Sequence, residues 1–456
     1  MCSSDLYFAT LLSKLYKLTQ EQTQLRRAIE ASRKAIISSV KLGHATRVAE
    51  SYWKIAQAQD TLGEHAEAAI SFQQASENYV KAAEKIPQLG DFYLDHASYM
   101  QAWGEIEEAR RSHNQKVHEE AVEHLNKAAK ILKGTTRWHQ FASNYLAWAK
   151  LEEGEALSRR EKTEEARDTF QKAADLFIEA KHEIVDKLAA TPAGEERKNA
   201  EEITMVSDQR REYCLSRVIL EDARISAGEG ASTASVEKYG VAAGRLEKLM
   251  ESIEQESDRR ELRPIAGLCR AWEKMIQAEQ KLSPSLYGEA SQIFEQVVEY
   301  SPDQQTSLLA QANCYMCKAL EEGMRFEVTK TLDLFSAAKK FLDAATTQYL
   351  RAGLRNMAEY SRATSKLLDA YLFMYQAQVD VDPLKRAQSF QMAVTMLQTS
   401  AGSYIKAQLP AKAEEVQRVL EIVREDREIA VSLSQVMKVP SIASATIGFS
   451  APTQSY

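Results

Sequence analysis

The sequence predicts an all-α fold, a right-handed α-solenoid of stacked antiparallel helix hairpins. Three observations carry this. Helix breakers are scarce, with 17 glycines and 9 prolines among 456 residues, and no proline falls between Pro87 and Pro192. Ala, Glu, Lys, Gln and Leu, the good helix formers, abound. Apolar residues recur every three to four positions, with no convincing period-two run in the body of the chain. Finally, one spacing, small-x3-large-x2-small, returns along the chain. It appears at Ala68-Phe72-Ala75, Ala121-Leu125-Ala128, Ala166-Phe170-Ala173, Ser235-Tyr239-Ala242, Ala290-Phe294-Val297 and Ala337-Phe341-Ala344.

That spacing puts three side chains on one helix face. The small residues let a neighbouring helix come close, and the large one fills the gap beside it. A helix with such a face cannot bury it alone, so it needs its own hairpin partner and the next hairpin, which makes an array. The periodic stretches predict helices over 20–42, 45–61, 64–86, 91–111, 115–133, 137–159, 163–189, 195–227, 233–256, 259–281, 285–300, 303–322, 326–352, 355–379, 384–403 and 410–435. The breaks between them are short, as at TLGEHAE around Gly63 and YSPDQ around Pro302, and short breaks make antiparallel neighbours. Pro284, Pro302, Pro383 and Pro410 stand between periodic stretches, where helices end.

The loosest break is ISAGEGASTAS, 225–235. It reads either as a longer hairpin loop or as a seam between two sub-arrays near 228–232. The array itself is assigned to residues 7–435. Residues 1–6, MCSSDL, are set apart as an artefactual start, because CSSDL is what a common sequencing-adapter end encodes in one frame. Residues 436–456 lose the helical period and are rich in Ser, Ala, Thr and Pro; they read as a flexible tail or a linker to a missing C-terminal region.

Ala290, Phe294, Val297 and Pro302 fall at four marker positions of the tetratricopeptide repeat, with Val in place of the last Ala. Trp53, Leu62, Gly63, Ala68, Phe72 and Ala75 fit the same pattern, with Trp53 one place off the usual tryptophan. Most of residues 45–435 resembles that family in a degenerate form. Successive first alanines or their substitutes are 45 to 69 residues apart, against a standard period of about 34. The longer helices look more like the tetratricopeptide-like array of the soluble attachment proteins of vesicle fusion. The resemblance implies a protein–protein interaction scaffold or adaptor, binding a partner protein or peptide on a concave face lined by first helices, without a cofactor. The basic clamp that some members use for C-terminal carboxylates is not carried over, since Glu50, Trp53, Gln57 and Asp60 occupy its positions.

Charge and composition narrow the function classes. A net charge of −7, from 58 basic and 65 acidic residues, argues against a general nucleic-acid binder. The basic runs Arg110-Arg111 and Arg159-Arg160-Glu161-Lys162 lie beside acids and read as solvated helix surface. No run of about 18 apolar residues predicts membrane insertion, and MCSSDLYFATLL makes a poor signal peptide. Five cysteines, an odd and sparse set, suit free thiols in a reducing cytoplasm.

Catalytic chemistry finds little support. Cys314-Tyr-Met-Cys317 lacks the second ligand pair of a zinc site and the βαβ setting of a redox motif, so its cysteines read as core thiols. His113, His118 and His124 read as a solvated polar face, because His118 and His124 stand about 240° apart around one helix. Glu179 and His182 form a single Glu-x-x-His pair where a bundle di-metal site needs two. No G-x-S-x-G and no phosphate-binding glycine loop is present. No catalytic, cofactor-binding or metal-binding residue is therefore assigned. The five tryptophans are placed in first-of-pair helices. Among the aromatics, Trp138, Phe141, Tyr145 and Trp148 in WHQFASNYLAW are the candidates for a partner-binding surface, since aromatic side chains anchor interfaces. The alternative to a scaffold is the sensor or regulatory arm of a larger signalling NTPase or transcription regulator, of which this chain would be a fragment. A helical-bundle enzyme would need polar groups converging in the core, and no credible set stands out.

Overall fold

The computed structural model describes residues 2–188 and 194–437. Among these residues there are seventeen α-helices and no strand. The helices are α1 (Cys2–Thr19), α2 (Gln22–Lys41), α3 (Ala45–Thr61), α4 (His65–Lys85), α5 (Gly90–Asn114), α6 (His118–Lys133), α7 (Ala142–Arg159), α8 (Thr163–Leu188) and α9 (Glu195–Gly228). They continue with α10 (Ser232–Ser252), α11 (Glu256–Lys281), α12 (Pro284–Tyr300), α13 (Gln304–Thr329), α14 (Leu332–Arg351), α15 (Arg355–Val379), α16 (Pro383–Lys406) and α17 (Pro410–Met437). Short 3-10 turns at Pro87–Leu89 and His139–Phe141 lead into α5 and α7. Consecutive helices pack on one another from α1 to α8 and again from α14 to α17. This is an all-α array of helix hairpins.

The chain forms two compact units. The first comprises Met1–Ala227, Ser232–Glu273 and Glu299–Ser307; the second comprises Gly228–Ala231, Lys274–Val298 and Leu308–Tyr456. In the first, one apolar cluster joins α5 to α9 around Ile106, Leu125, Trp148, Phe170 and Phe177. In the second, another joins α13 to α17 around Phe326, Leu342, Tyr349, Leu397 and Leu420. Burial of such side chains from water is the main force stacking the hairpins, roughly 1.5–3 kcal/mol for each large apolar residue.

A recurring turn closes the hairpins. A residue with positive φ stands just past a helix end at Gln20, Gly43, Gly63, Lys116, Glu161, Gly230, Leu282, Lys330, Gly353 and Gln408. At Gly63 the following N–H, of Glu64, returns 2.9 Å to the Gln59 carbonyl, and Val117 does the same to Ser112 at 2.9 Å. The left-handed residue reverses the chain and caps carbonyls that the helix end leaves bare. The 225–235 break closes in this way too, with φ +79° at Gly230, leaving only 229–231 between α9 and α10.

The small-x3-large-x2-small faces are buried in five of the six instances, from Ala68-Phe72-Ala75 to Ala290-Phe294-Val297. The sixth differs by one residue. Ala338, Leu342, Ala345 and Tyr349 are the buried face of α14, while Ala337, Phe341 and Ala344 are only partly covered. Upstream, α13 runs on through Gly323 and turns at Lys330. Gly323 belongs to the packed helix, 3.8 Å from Leu368 at the place a Cβ would occupy. A turn expected between 322 and 326 therefore falls seven residues later. The structure also adds α1, a helix the periodicity left unassigned, whose Ala9 and Leu12 pack on Ala28 and Ala31 of α2. Residues 438–456 lie outside the described residues.

Candidate functional site

The aromatic segment 138–148 lies at the α6–α7 corner. Trp138 sits in the turn and Phe141 in the 3-10 turn, not in a helix as expected; Tyr145 and Trp148 belong to α7. The turn is fixed by Asp95 of α5, which accepts the Thr136 N–H at 2.7 Å, and by Thr135 Oγ, which accepts the Trp138 N–H at 3.2 Å. All four rings are buried, each 6–7% exposed. Trp138 stacks on Tyr99 at 4.1 Å, and Tyr99 meets Trp103 edge-on at 6.2 Å. Trp148 has Arg210 over its ring at 3.7 Å, and its Nε1 donates to Glu152 Oε1 at 2.9 Å. These four rings belong to the buried cluster that joins α5 to α9. Near this corner Tyr99 and Trp103 of α5 are partly exposed, as are Tyr52 and Trp53 of α3.

Trp148 leads to a feature not visible in single-helix periodicity. Glu107, Glu152, Glu221, Glu273 and Glu321 occupy one register in α5, α7, α9, α11 and α13, each nine residues before the left-handed residue of its hairpin. Glu107, Glu152 and Glu221 are fully buried. Burying a carboxylate costs several kcal/mol unless charge and hydrogen bonds answer it, and here they do. Glu107 accepts from His65 Nδ1 at 2.7 Å and from Arg110 at 3.0 Å, and Arg110 also reaches Asp60 at 2.5 Å. Glu221 accepts from Ser158 at 2.7 Å, Arg217 at 3.3 Å and Arg224 at 3.1 Å. Glu273 pairs with Arg270 at 3.1 Å, and Glu321 with Arg325 at 2.6 Å. The glutamate at this offset from the turn was the sequence signal that would have found the set.

Glu152 is answered differently. His113 Nδ1 at the end of α5 stands 2.8 Å from Oε1, and His118 Nδ1 at the start of α6 stands 2.7 Å from Oε2. Among the described residues no lysine or arginine is ion-paired to it. Far from being a solvated face, His118 is 3% exposed and His113 is partly buried. The 240° separation concerns His118 and His124 alone; the α5–α6 turn brings His113 and His118 together, while His124 goes to Glu105 at 2.7 Å. His113 Nε2 also stands 3.3 Å from Glu261, which Lys116 joins at 3.3 Å. A carboxylate only accepts, so both His113 nitrogens carry hydrogen. Burial alone would lower the His113 pKa, but Glu152 and then Glu261 raise it to about 10. For Glu152, burial acts upward, and His113 with His118 overcomes it, holding the carboxyl well below the usual range.

The other candidates resolve simply. Cys314 and Cys317 are free, buried thiols in the core of α13, as are Cys214 and Cys269 in theirs. Glu179 and His182 are both exposed on α8. Arg110 and Arg159 are not merely solvated: Arg159 meets Asp303 at 3.1 Å, with both side chains largely covered. Arg160 pairs with Glu119 on the surface.

The hairpins, their left-handed turns and their paired small-residue faces define a helical repeat protein. A family model described as Tetratricopeptide repeat matches residues 49–78, one α3–turn–α4 hairpin, and the chain is tetratricopeptide-like through its stacked helices. No curated protein matches the sequence. Tetratricopeptide repeats are in general protein-interaction modules, and no helix among the described residues is long and apolar enough to cross a membrane.

Proposed function

We propose that this chain is a non-catalytic scaffold or adaptor that docks a partner protein or peptide on the outward side of its first helices, in a reducing cytoplasm. The observation that carries the reading is the repeat match over residues 49–78, where α3 presents a partly exposed tryptophan beside charge. Trp53 has Lys54 at 6.0 Å from its ring centre, and on α5 Trp103 has Arg110 at 5.8 Å. Amphipathic aromatics held rigid by their helices, with cations over their rings, are the groups that anchor protein interfaces. The buried 138–148 aromatics back this side through Trp138, Tyr99 and Trp103. Four buried free thiols suit the reducing setting.

The test is affinity capture from the source cells with the full chain and with a Trp53→Ala/Trp103→Ala variant. Both rings also pack on the α3–α5 core, Trp103 stacking on Phe72 at 5.8 Å, so capture is compared only with the helical circular dichroism of the variant intact. A protein that co-purifies stoichiometrically with the native chain and is lost with the variant supports the reading. A stoichiometric nucleotide with no protein partner overturns it.

A further inference from the structure

We propose that His113, His118 and Glu152 form a binding site for one divalent transition-metal ion of the zinc type, a clip that ties the α5–α6 turn to α7. Their ligand atoms lie within 4.8 Å of one another, and two imidazole nitrogens with one carboxylate oxygen is a donor set that suits zinc, cobalt or nickel. The three come from three helices held by buried packing, so the set is positioned before any ion arrives.

Two further features separate this cluster from an ordinary buried ion pair. In the neighbouring registers the glutamate is answered by a permanent cation, Arg110 at Glu107 and Arg217 with Arg224 at Glu221. The related group Asp60, His65 and Glu107 is thus already filled by the Arg110 guanidinium. At Glu152 two imidazole hydrogens stand where a guanidinium stands elsewhere, and both are replaceable by a metal. Secondly, an outer shell is in place. Trp148 Nε1 donates to Glu152 Oε1 at 2.9 Å, and His113 Nε2 points to Glu261 at 3.3 Å. Metal-bound imidazoles and carboxylates are usually fixed by partners of this kind. Binding an ion through the Nδ1 atoms exchanges protons for metal, leaves the His113 Nε2–H on Glu261, and draws no electrons from anywhere.

The experiment uses the full chain, stripped with a chelator, then titrated with Zn²⁺ by calorimetry and with Co²⁺ by absorption. One equivalent should bind with Kd below about 1 µM, with cobalt bands of nitrogen–oxygen ligation. His113→Ala and His118→Ala should each weaken binding by about 100-fold or more, and Trp148→Phe by roughly 10- to 100-fold. His65→Ala, in the arginine-filled register, should leave it unchanged. The proposal is overturned by failure of the native chain to bind Zn²⁺ saturably, by binding that survives both histidine substitutions, or by equal loss with His65→Ala. A thiolate-to-cobalt charge-transfer band would place the ion at the cysteines and overturn it as well. Should the histidine variants lose their helical signal, histidine-labelled native protein decides: two imidazoles shifting with one equivalent of Zn²⁺ support the site, and unshifted imidazoles sink it.

Discussion

Gly154 of α7 lies against the ring of Phe170 of α8 so closely that a Cβ on residue 154 would stand 2.7 Å from Phe170 Cε1 and 2.8 Å from Cδ1. Phe170 is fully buried at the centre of its small-x3-large-x2-small face and has nowhere to retreat. Gly154→Ala gains about 1 kcal/mol of helix propensity but overpacks the core by about 1–3 kcal/mol. The expected result is a net loss of roughly 1 kcal/mol in urea denaturation. In a Phe170→Leu background the same change should turn neutral or stabilising, because the ring is gone. A stabilising Gly154→Ala in the native background would show that the contact is not tight.

Arg217 is 5% exposed and joins Glu155, Ser158 and Glu221 while lying 4.6 Å over the Phe170 ring. Arg217→Met keeps the bulk and removes the charge from two buried carboxylates, so it should cost about 3–5 kcal/mol. Urea midpoints at neutral pH measure this; a loss below about 1 kcal/mol would mean that the pair is not closed in solution.

The pH dependence follows from Glu155. Burial would raise its pKa, but Arg217, then His118 and the hydrogen bonds from Tyr213 and Arg217, hold it below the ordinary carboxylate value. A group depressed in the folded state contributes its stability above its unfolded pKa, about 4.3, and loses it as pH falls through the folded value. Native protein should therefore weaken progressively on acidification below about pH 5. Arg217→Met should show a flatter acid limb over the same range, since its Glu155 gains by taking a proton. Parallel limbs for the two proteins would remove Glu155 from the account.

The turn residues give a paired prediction. Gly63 has φ +76° with open space around it, whereas Lys330 holds φ +57° with a side chain attached. A left-handed non-glycine residue costs roughly 1–2 kcal/mol. Gly63→Ala should lower stability by about 1 kcal/mol and Lys330→Gly should raise it by a similar amount, both read as urea midpoints. Equal effects of the same sign would mean that something other than backbone strain governs these corners.

Cys214, Cys269 and Cys317 are fully buried, and burial pushes each thiol upward, Cys269 to about 12. The thiolate is the reactive form, so none of the three should react with a disulfide reagent at pH 8 until the chain unfolds. Peptide mapping after brief labelling checks it. Prompt labelling of Cys317 would show that α13 opens readily.

Helix periodicity makes much of this fold legible in the sequence. Residues 45–61 and 355–379 were bounded as α3 and α15 stand, because a clear apolar face ended at Gly63 and before Pro383. The errors share a cause. Gly323 looked like a break but is the close contact of a continuing helix with Leu368, and only the neighbour tells these apart. The histidines of SHNQKVHEEAVEH were weighed by their angle around one helix, yet their partner, Glu152, arrives from the next hairpin. Likewise the aromatics of 138–148 were legible as a cluster, but their burial depends on Tyr99 and Arg210, which stand 39 residues before Trp138 and 62 residues after Trp148.

The repeated glutamate register has an effect on assembly order. Each of the three fully buried acids takes a donor from another helix: His65 serves Glu107, His118 serves Glu152, and Ser158 serves Glu221. Apolar faces built from alanine and phenylalanine are nearly interchangeable and would tolerate a skipped or swapped hairpin. The buried acids are less tolerant, because a misplaced neighbour removes the interhelical donor, and at Glu152 it removes both histidines. At these three steps a look-alike hairpin is told from its neighbours by the polar group it brings.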